Sequence, residues 1–180
     1  MPAKTFSPLR SRLKHIQLLL CDVDGVLIDG TVFIGSATEF KRFNIQDGLG
    51  LVLWRRAGGK TGWVSARPSA ATRQRARELK IDFLIQQTDR RSKVAAVEKI
   101  LTRTQLSWDR VCFVGDDIVD LGPLQRAGVA VAVANAVREV RAAAHLVTRA
   151  AGGHGAVREV VEMILRAQDQ WETCVTHYTK

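Results

Sequence analysis

The sequence predicts an α/β fold, a doubly wound and mostly parallel sheet flanked by helices. Three observations predict it. Short apolar runs rich in Val, Leu and Ile recur between longer amphipathic stretches, which is the rhythm of βα units around a sheet buried on both faces. Two of these runs stop abruptly at clusters of aspartate, and open α/β sheets carry their sites beyond strand ends. At 180 residues and 46% hydrophobic content, the chain is about one domain long and can bury its own core. Residues 1–180 are therefore read as a single Rossmann-like domain.

In chain order, the first dozen residues carry no clear period and are expected to be loosely held, as is the tail after about Gln170. The first strand is Ile16 to Cys21. Thr31 to Phe43 breaks the βα rhythm: Thr-Val-Phe-Ile, the turn residues Gly-Ser-Ala-Thr, then Glu-Phe-Lys-Arg-Phe predict a β-hairpin insertion. Its apolar residues need cover, for instance from another subunit. Further strands are expected at Thr61 to Val64, Phe83 to Ile85, Val111 to Val114, Val129 to Val133 and Leu146 to Val147. Helices are expected at Ser69 to Lys80, Ser92 to Arg103, Val119 to Ala127, Ala136 to Ala143 and Ala156 to Ala167, with Ser69 and Ser92 as N-caps.

Composition narrows the function. No stretch approaches the roughly 18 to 20 apolar residues of a membrane helix, and the run near Ile16 is cut by Asp22 and Asp24 without a signal-type cleavage site. A soluble, cytoplasmic protein with no membrane partner is expected. Cys21, Cys112 and Cys174 never form a C-x-x-C pair, which argues against zinc and disulfides; the first two read as buried small apolar residues. The net charge of +9 favours anionic partners. Its basic residues are spread along the chain and aromatics are only 6%, so a dedicated nucleic-acid module is disfavoured.

The chemistry sits at strand ends. Leu18-Leu-Leu-Cys-Asp22-Val-Asp24-Gly25 puts two carboxylates just past an apolar strand. An EF-hand loop is excluded, because Val26 and Phe33 occupy ligand positions and a strand precedes where a helix should. Val111-Cys-Phe-Val-Gly115-Asp116-Asp117-Ile-Val-Asp120 repeats the pattern. Gathering so many carboxylates at one sheet edge is unfavourable without a cation, and hard oxygen ligands with no His or Cys nearby favour Mg2+. Between the clusters, Ser65 and Lys93 offer a hydroxyl and an ammonium for phosphoryl oxygens. Gly58-Gly-Lys60-Thr61 mimics the end of a Walker loop, but Trp54 stands where the first glycine should be, and Lys60 precedes a strand. His154 reads as a loop residue.

The order Asp22-Val-Asp24-Gly, Ser65, Lys93, Gly-Asp116-Asp117 resembles the four motifs of the haloacid dehalogenase superfamily of phosphatases and covers nearly the whole chain. Asp22 to Gly30, Phe43 to Gly50, Gly115 to Asp120 and Gly152 to Val160 look like the capless branch containing 3-deoxy-D-manno-octulosonate (KDO) 8-phosphate phosphatase. That resemblance implies a magnesium-dependent homotetramer assembled through the hairpin, hydrolysing a phosphorylated sugar acid for lipopolysaccharide precursor synthesis. No cap domain fits, since Asp24 and Ser65 are about 40 residues apart and Ser65 and Lys93 fewer than 30. The implied roles are Asp22 as nucleophile, Asp24 as acid and base, and Ser65 and Lys93 as stabilisers of the transferring group. The metal set is Asp22, Asp24 through its carbonyl, and Asp116, with Asp117 and Asp120 orienting the shell. Substrate positions are Asp24, Asn44 to Gly48 with Asp47, Ser65, Ala66, Arg67, Arg75 and Lys93. The chain departs from the pattern at Val52, where a basic residue is usual, at Ala66, usually glycine, and at His154, usually arginine. A nonulosonate 9-phosphate and nucleic-acid ends are the alternative substrates.

Overall fold

The structure, a computed structural model, describes residues 6–36, 38–86 and 93–179. Six parallel strands form one sheet: β1 (Leu18–Cys21), β4 (Lys60–Ser65), β5 (Phe83–Gln86), β6 (Val111–Gly115), β7 (Val129–Ala132) and β8 (Leu146–Val147), in the order β5-β4-β1-β6-β7-β8. The remaining two strands, β2 (Phe33–Ile34) and β3 (Glu39–Phe40), make the expected hairpin, with Phe33 opposite Phe40 and Ile34 opposite Glu39. Helices follow in chain order as α1 (Phe6–Lys14), α2 (Ile45–Arg56), α3 (Ala70–Glu78), α4 (Val94–Thr104), α5 (Leu121–Arg126), α6 (Arg138–Ala143), α7 (Ala156–Ala167) and α8 (Trp171–Thr176). None of the described helices is long and apolar enough to cross a membrane.

The strands are apolar runs because the central ones are covered on both faces. Every residue of β1, β6 and β7 is buried, and full burial of each leucine in β1 favours folding by roughly 1.5–3 kcal/mol before entropy is counted. Edge strands β5 and β8 are only partly covered. From β1 the chain passes to β4 and β5 on one side, then returns to β6, β7 and β8 on the other. The reversal falls between β1 and β6, whose loops therefore part and leave a crevice at their carboxyl ends.

Ser69 caps α3 as expected, accepting the Thr72 N–H at 3.2 Å, whereas Ser92 lies outside the described residues. Three helices depart from the sequence reading. Helix α2 was not expected, because Gly48 and Gly50 disguise it; they are small where the side chains of Arg75 and Arg158 press in. Helix α1 lies in the stretch expected to be loose. Leu13 at its end and Ile16 just beyond are buried, and Gln168 donates to the Ile16 carbonyl at 2.8 Å. The tail beyond Gln170 includes α8, whose Trp171 is buried beneath the guanidinium groups of Arg158 and Arg166, 5.2 and 4.9 Å from its ring centre.

Candidate active site

Strands β1 and β6 run side by side, with Cys21 opposite Val114, so the residues that follow each arrive at the same crevice. A cavity of about 270 Å³ opens there, lined among others by Asp22, Asp24, Ser65, Ala66, Arg67, Lys93, Asp116 and Asp117. Sequence-distant motifs thus share one site.

Asp22 is buried, and its Oδ1 accepts the Val23 N–H at 2.6 Å and the Lys93 ammonium at 2.7 Å. Lys93, buried at the start of α4, also donates to Asp120 Oδ1 at 2.7 Å. The second oxygen of Asp120 accepts the Asp116 N–H at 3.0 Å, so Asp120 is a fully buried strut between Lys93 and the loop after β6. Among the described residues, carboxylate oxygens of Asp22, Asp116 and Asp120 all lie within 4.8 Å of one another. Three carboxylates then face one ammonium. Burial, followed by the negative charge of Asp120, raises Asp22 well above the usual carboxylate range and carries Asp116 to about 7. Burial works against the Lys93 charge too, but Asp22 and Asp120 outweigh it and raise Lys93.

The donor set fits a hard divalent cation. Asp116 Oδ1 is buried without a hydrogen-bond partner among the described residues, a costly state for a carboxylate oxygen that an ion would relieve. Gly25, at φ +97°, lets the β1 loop approach: a Cβ there would lie 2.0 Å from Asp116 Oδ2. Gly152 braces this loop from behind, since its own Cβ would meet the Gly25 carbonyl at 1.7 Å.

Two of the expected metal residues lie outside that group of carboxylates. The Asp24 side chain does not join the carboxylate group; its Oδ1 accepts Lys41 Nζ at 2.6 Å, and its Oδ2 lies 3.4 Å from Ser65 Oγ. The role expected of its carbonyl does not depend on that side chain. Asp117 is exposed and caps the 3-10 turn Ile118–Asp120, accepting the Ile118 N–H at 2.7 Å.

The expected substrate positions divide. Ser65, Ala66, Arg67, Asp24 and Lys93 line the cavity, and Arg67 Nη1 is buried with no partner among the described residues. Asn44, Asp47, Gly48 and Arg75 do not line it. Asn44 caps α2, accepting the Gln46 and Asp47 N–H groups at 2.7 and 3.3 Å. Asp47 turns under α7, accepting the Gly155 and Arg158 N–H groups at 3.2 and 2.8 Å; burial nevertheless raises its carboxyl above the usual value. Arg75 packs over Gly48, pairs with Glu78 at 2.7 Å and faces a separate concavity of about 820 Å³ beside the hairpin. His154 is exposed.

Glu39, Lys41 and Thr72 were missed by sequence reasoning. Alternation across Glu39-Phe40-Lys41 already sets the two charged residues on the face opposite Phe40, but no local signal says that this face meets Asp24.

A model of haloacid dehalogenase-like hydrolases matches residues 87–160. The 3-deoxy-D-manno-octulosonate 8-phosphate phosphatase of Yersinia pestis is 39% identical over 163 residues, covering 89% of this chain and 86% of the relative. The chain belongs to the haloacid dehalogenase-like hydrolases. The Escherichia coli K12 enzyme of the same name is 35% identical to this hydrolase over 159 residues, 88% of the chain and 84% of the relative. Among solved structures, the hydrolase superposes on the Moraxella catarrhalis 3-deoxy-D-manno-octulosonate 8-phosphate phosphatase, crystallised with magnesium, phosphate and KDO, with TM-score 0.92 and 34% identity, covering 96% and 99% of the two chains. A probable YrbI family phosphatase from Pseudomonas syringae gives TM-score 0.91 and 40% identity over 96% and 98%.

Proposed function

We propose that this hydrolase is a magnesium-dependent phosphomonoesterase that converts 3-deoxy-D-manno-octulosonate 8-phosphate to the free sugar acid and phosphate, in the cytoplasmic synthesis of lipopolysaccharide precursors. The observation that carries the reading is the meeting of Asp22 and Asp116 from neighbouring strands, where the buried Asp116 Oδ1 has no hydrogen-bond partner among the described residues. The substrate class rests on the relatives, whose names specify it at 35–39% identity over most of both chains.

Asp22, the Asp24 carbonyl and Asp116 would hold the ion. Bound there, it neutralises charge on the phosphoryl oxygens. Asp22 Oδ attacks phosphorus; its new O–P bond forms as the bond to the sugar oxygen breaks, leaving an aspartyl-phosphate. Asp24 gives its proton to the departing oxygen, then takes one from the water that cleaves the acyl phosphate, which regenerates Asp22 and releases phosphate. Lys93 fixes Asp22 from one side at 2.7 Å and, with Ser65, offers hydrogen bonds to the transferring group. Arg67, which lines the cavity, is placed to meet an anionic substrate group.

Oligomerisation belongs to the same reading. Phe33, Ile34 and Phe40 on the hairpin are 61%, 79% and 64% exposed, an apolar surface that a homotetramer would cover. Arg75 and the Asn44 to Gly48 segment, which lie outside the single-chain cavity, would then serve substrate only across a subunit boundary. The deciding experiment is a phosphate-release screen over KDO 8-phosphate, a nonulosonate 9-phosphate, hexose phosphates and nucleotides, with magnesium and with chelator. Strong preference for KDO 8-phosphate that chelator abolishes supports the reading; chelator-resistant activity, or preference for another class, contradicts it.

A further inference from the structure

We propose that Lys41 is a positioning residue for Asp24, fixing the acid/base carboxylate at the cavity wall and tying it to the hairpin; this rests on the phosphatase reading above. The Lys41 side chain is fully buried. A buried ammonium is costly unless it is paired, and this one is surrounded by acceptors: Asp24 Oδ1 at 2.6 Å, Thr72 Oγ1 at 3.2 Å and Glu39 Oε1 at 3.9 Å. Glu39 is in turn held by the Ser69 hydroxyl at 2.5 Å and by Arg67. The hairpin's polar face is therefore locked into the loops after β1 and β4.

Geometry gives this lock a consequence for the chemistry. Among the described residues, the hydrogen-bond contact on the Asp24 carboxylate besides Lys41 is Ser65 Oγ, at a long 3.4 Å. The ammonium is the shorter and charged restraint. The Asp24 side chain stands apart from the group of Asp22, Asp116 and Asp120, whose carboxylate oxygens lie within 4.8 Å of one another. With Oδ1 committed to Lys41, Oδ2 on the Ser65 side is left to exchange a proton with the leaving oxygen and then with water. A misplaced acid of this kind slows the proton-transfer steps without weakening phosphate binding.

A double-mutant cycle tests the proposal. Lys41→Met, Asp24→Asn and the pair are assayed with magnesium on a sugar phosphate and on p-nitrophenyl phosphate, whose leaving group needs no proton. Lys41→Met is expected to lower kcat on the sugar phosphate about 10- to 100-fold, within the range of general acid–base effects, with KM changed less than about threefold. In the Asp24→Asn background the same change should cost less than about twofold, because the group it positions is gone. Equal losses in both backgrounds, an unchanged kcat in the single variant, or a loss confined to KM would overturn the role. If Lys41→Met does not fold, as read by thermal melting, the cycle is run with Thr72→Val, which loosens the ammonium and keeps its charge; a loss that persists beside Asp24→Asn again overturns it. Asp22→Asn serves as the control for the underlying reading: inactivity leaves Lys41 to be judged by the cycle alone, and retained activity removes the mechanism in which Asp24 acts.

Discussion

Asp22 and Asp24 stand two residues apart yet have different neighbours: Asp22 faces Lys93 and the other buried carboxylates, while Asp24 faces Lys41 and Ser65. Their loss should therefore look different. Asp22→Asn should reduce turnover on the order of 10⁴-fold or more while leaving the melting temperature in chelator unchanged or higher, since a buried charge is removed. Asp24→Asn should slow turnover by roughly 10²- to 10⁴-fold, and rapid-quench assays with p-nitrophenyl phosphate should still detect phosphoenzyme. A third expectation concerns pH. An unfolded aspartate titrates near about 4, and Asp116 in the folded chain near about 7, so between these values the folded state holds a proton that the unfolded state has lost. In chelator, melting temperature should accordingly fall as pH rises through this window, and magnesium should flatten the slope. These residues were legible in the sequence because carboxylates stacked after apolar strands are hard to explain otherwise; the missing partner, Lys41, was not, because its contact spans 17 residues of chain and a hairpin whose course no local pattern gives.

Among the elements, α2 and α7 are tied to each other. Asp47 projects from the first turn of α2 to the N-terminus of α7, where it accepts two backbone N–H groups that would otherwise be unpaired. Asp47→Ala should cost about 1–2 kcal/mol of stability in denaturant titrations, a typical loss for an N-terminal cap. The strands were readable because fully covered β1, β6 and β7 must be apolar at every position. Helix α7 was readable end to end because its buried residues, Val157, Val160, Val161, Ile164 and Leu165, recur at helical spacing. Helix α2 was not, because its inner face uses two glycines to admit arginine side chains, and spacing arguments count large apolar residues.

For the molecule as a whole, the reversal of strand order between β1 and β6 brings the two acidic motifs together, and it follows from βα connectivity rather than from any single residue. On the hairpin, Phe33, Ile34 and Phe40 are exposed. Under the proposed assembly through the hairpin, Phe40→Glu should yield species smaller than those of the unaltered chain in light-scattering and sedimentation measurements, and an unchanged mass would remove the hairpin from the assembly. The covalent role of Asp22 is the claim on which the rest depends. It is tested most directly by quenching the Asp24→Asn variant during turnover of p-nitrophenyl phosphate, reducing with borohydride and mapping the peptides. Conversion of residue 22 to homoserine is the expected result; homoserine at another aspartate, or none while nitrophenol is released in a burst, would contradict it.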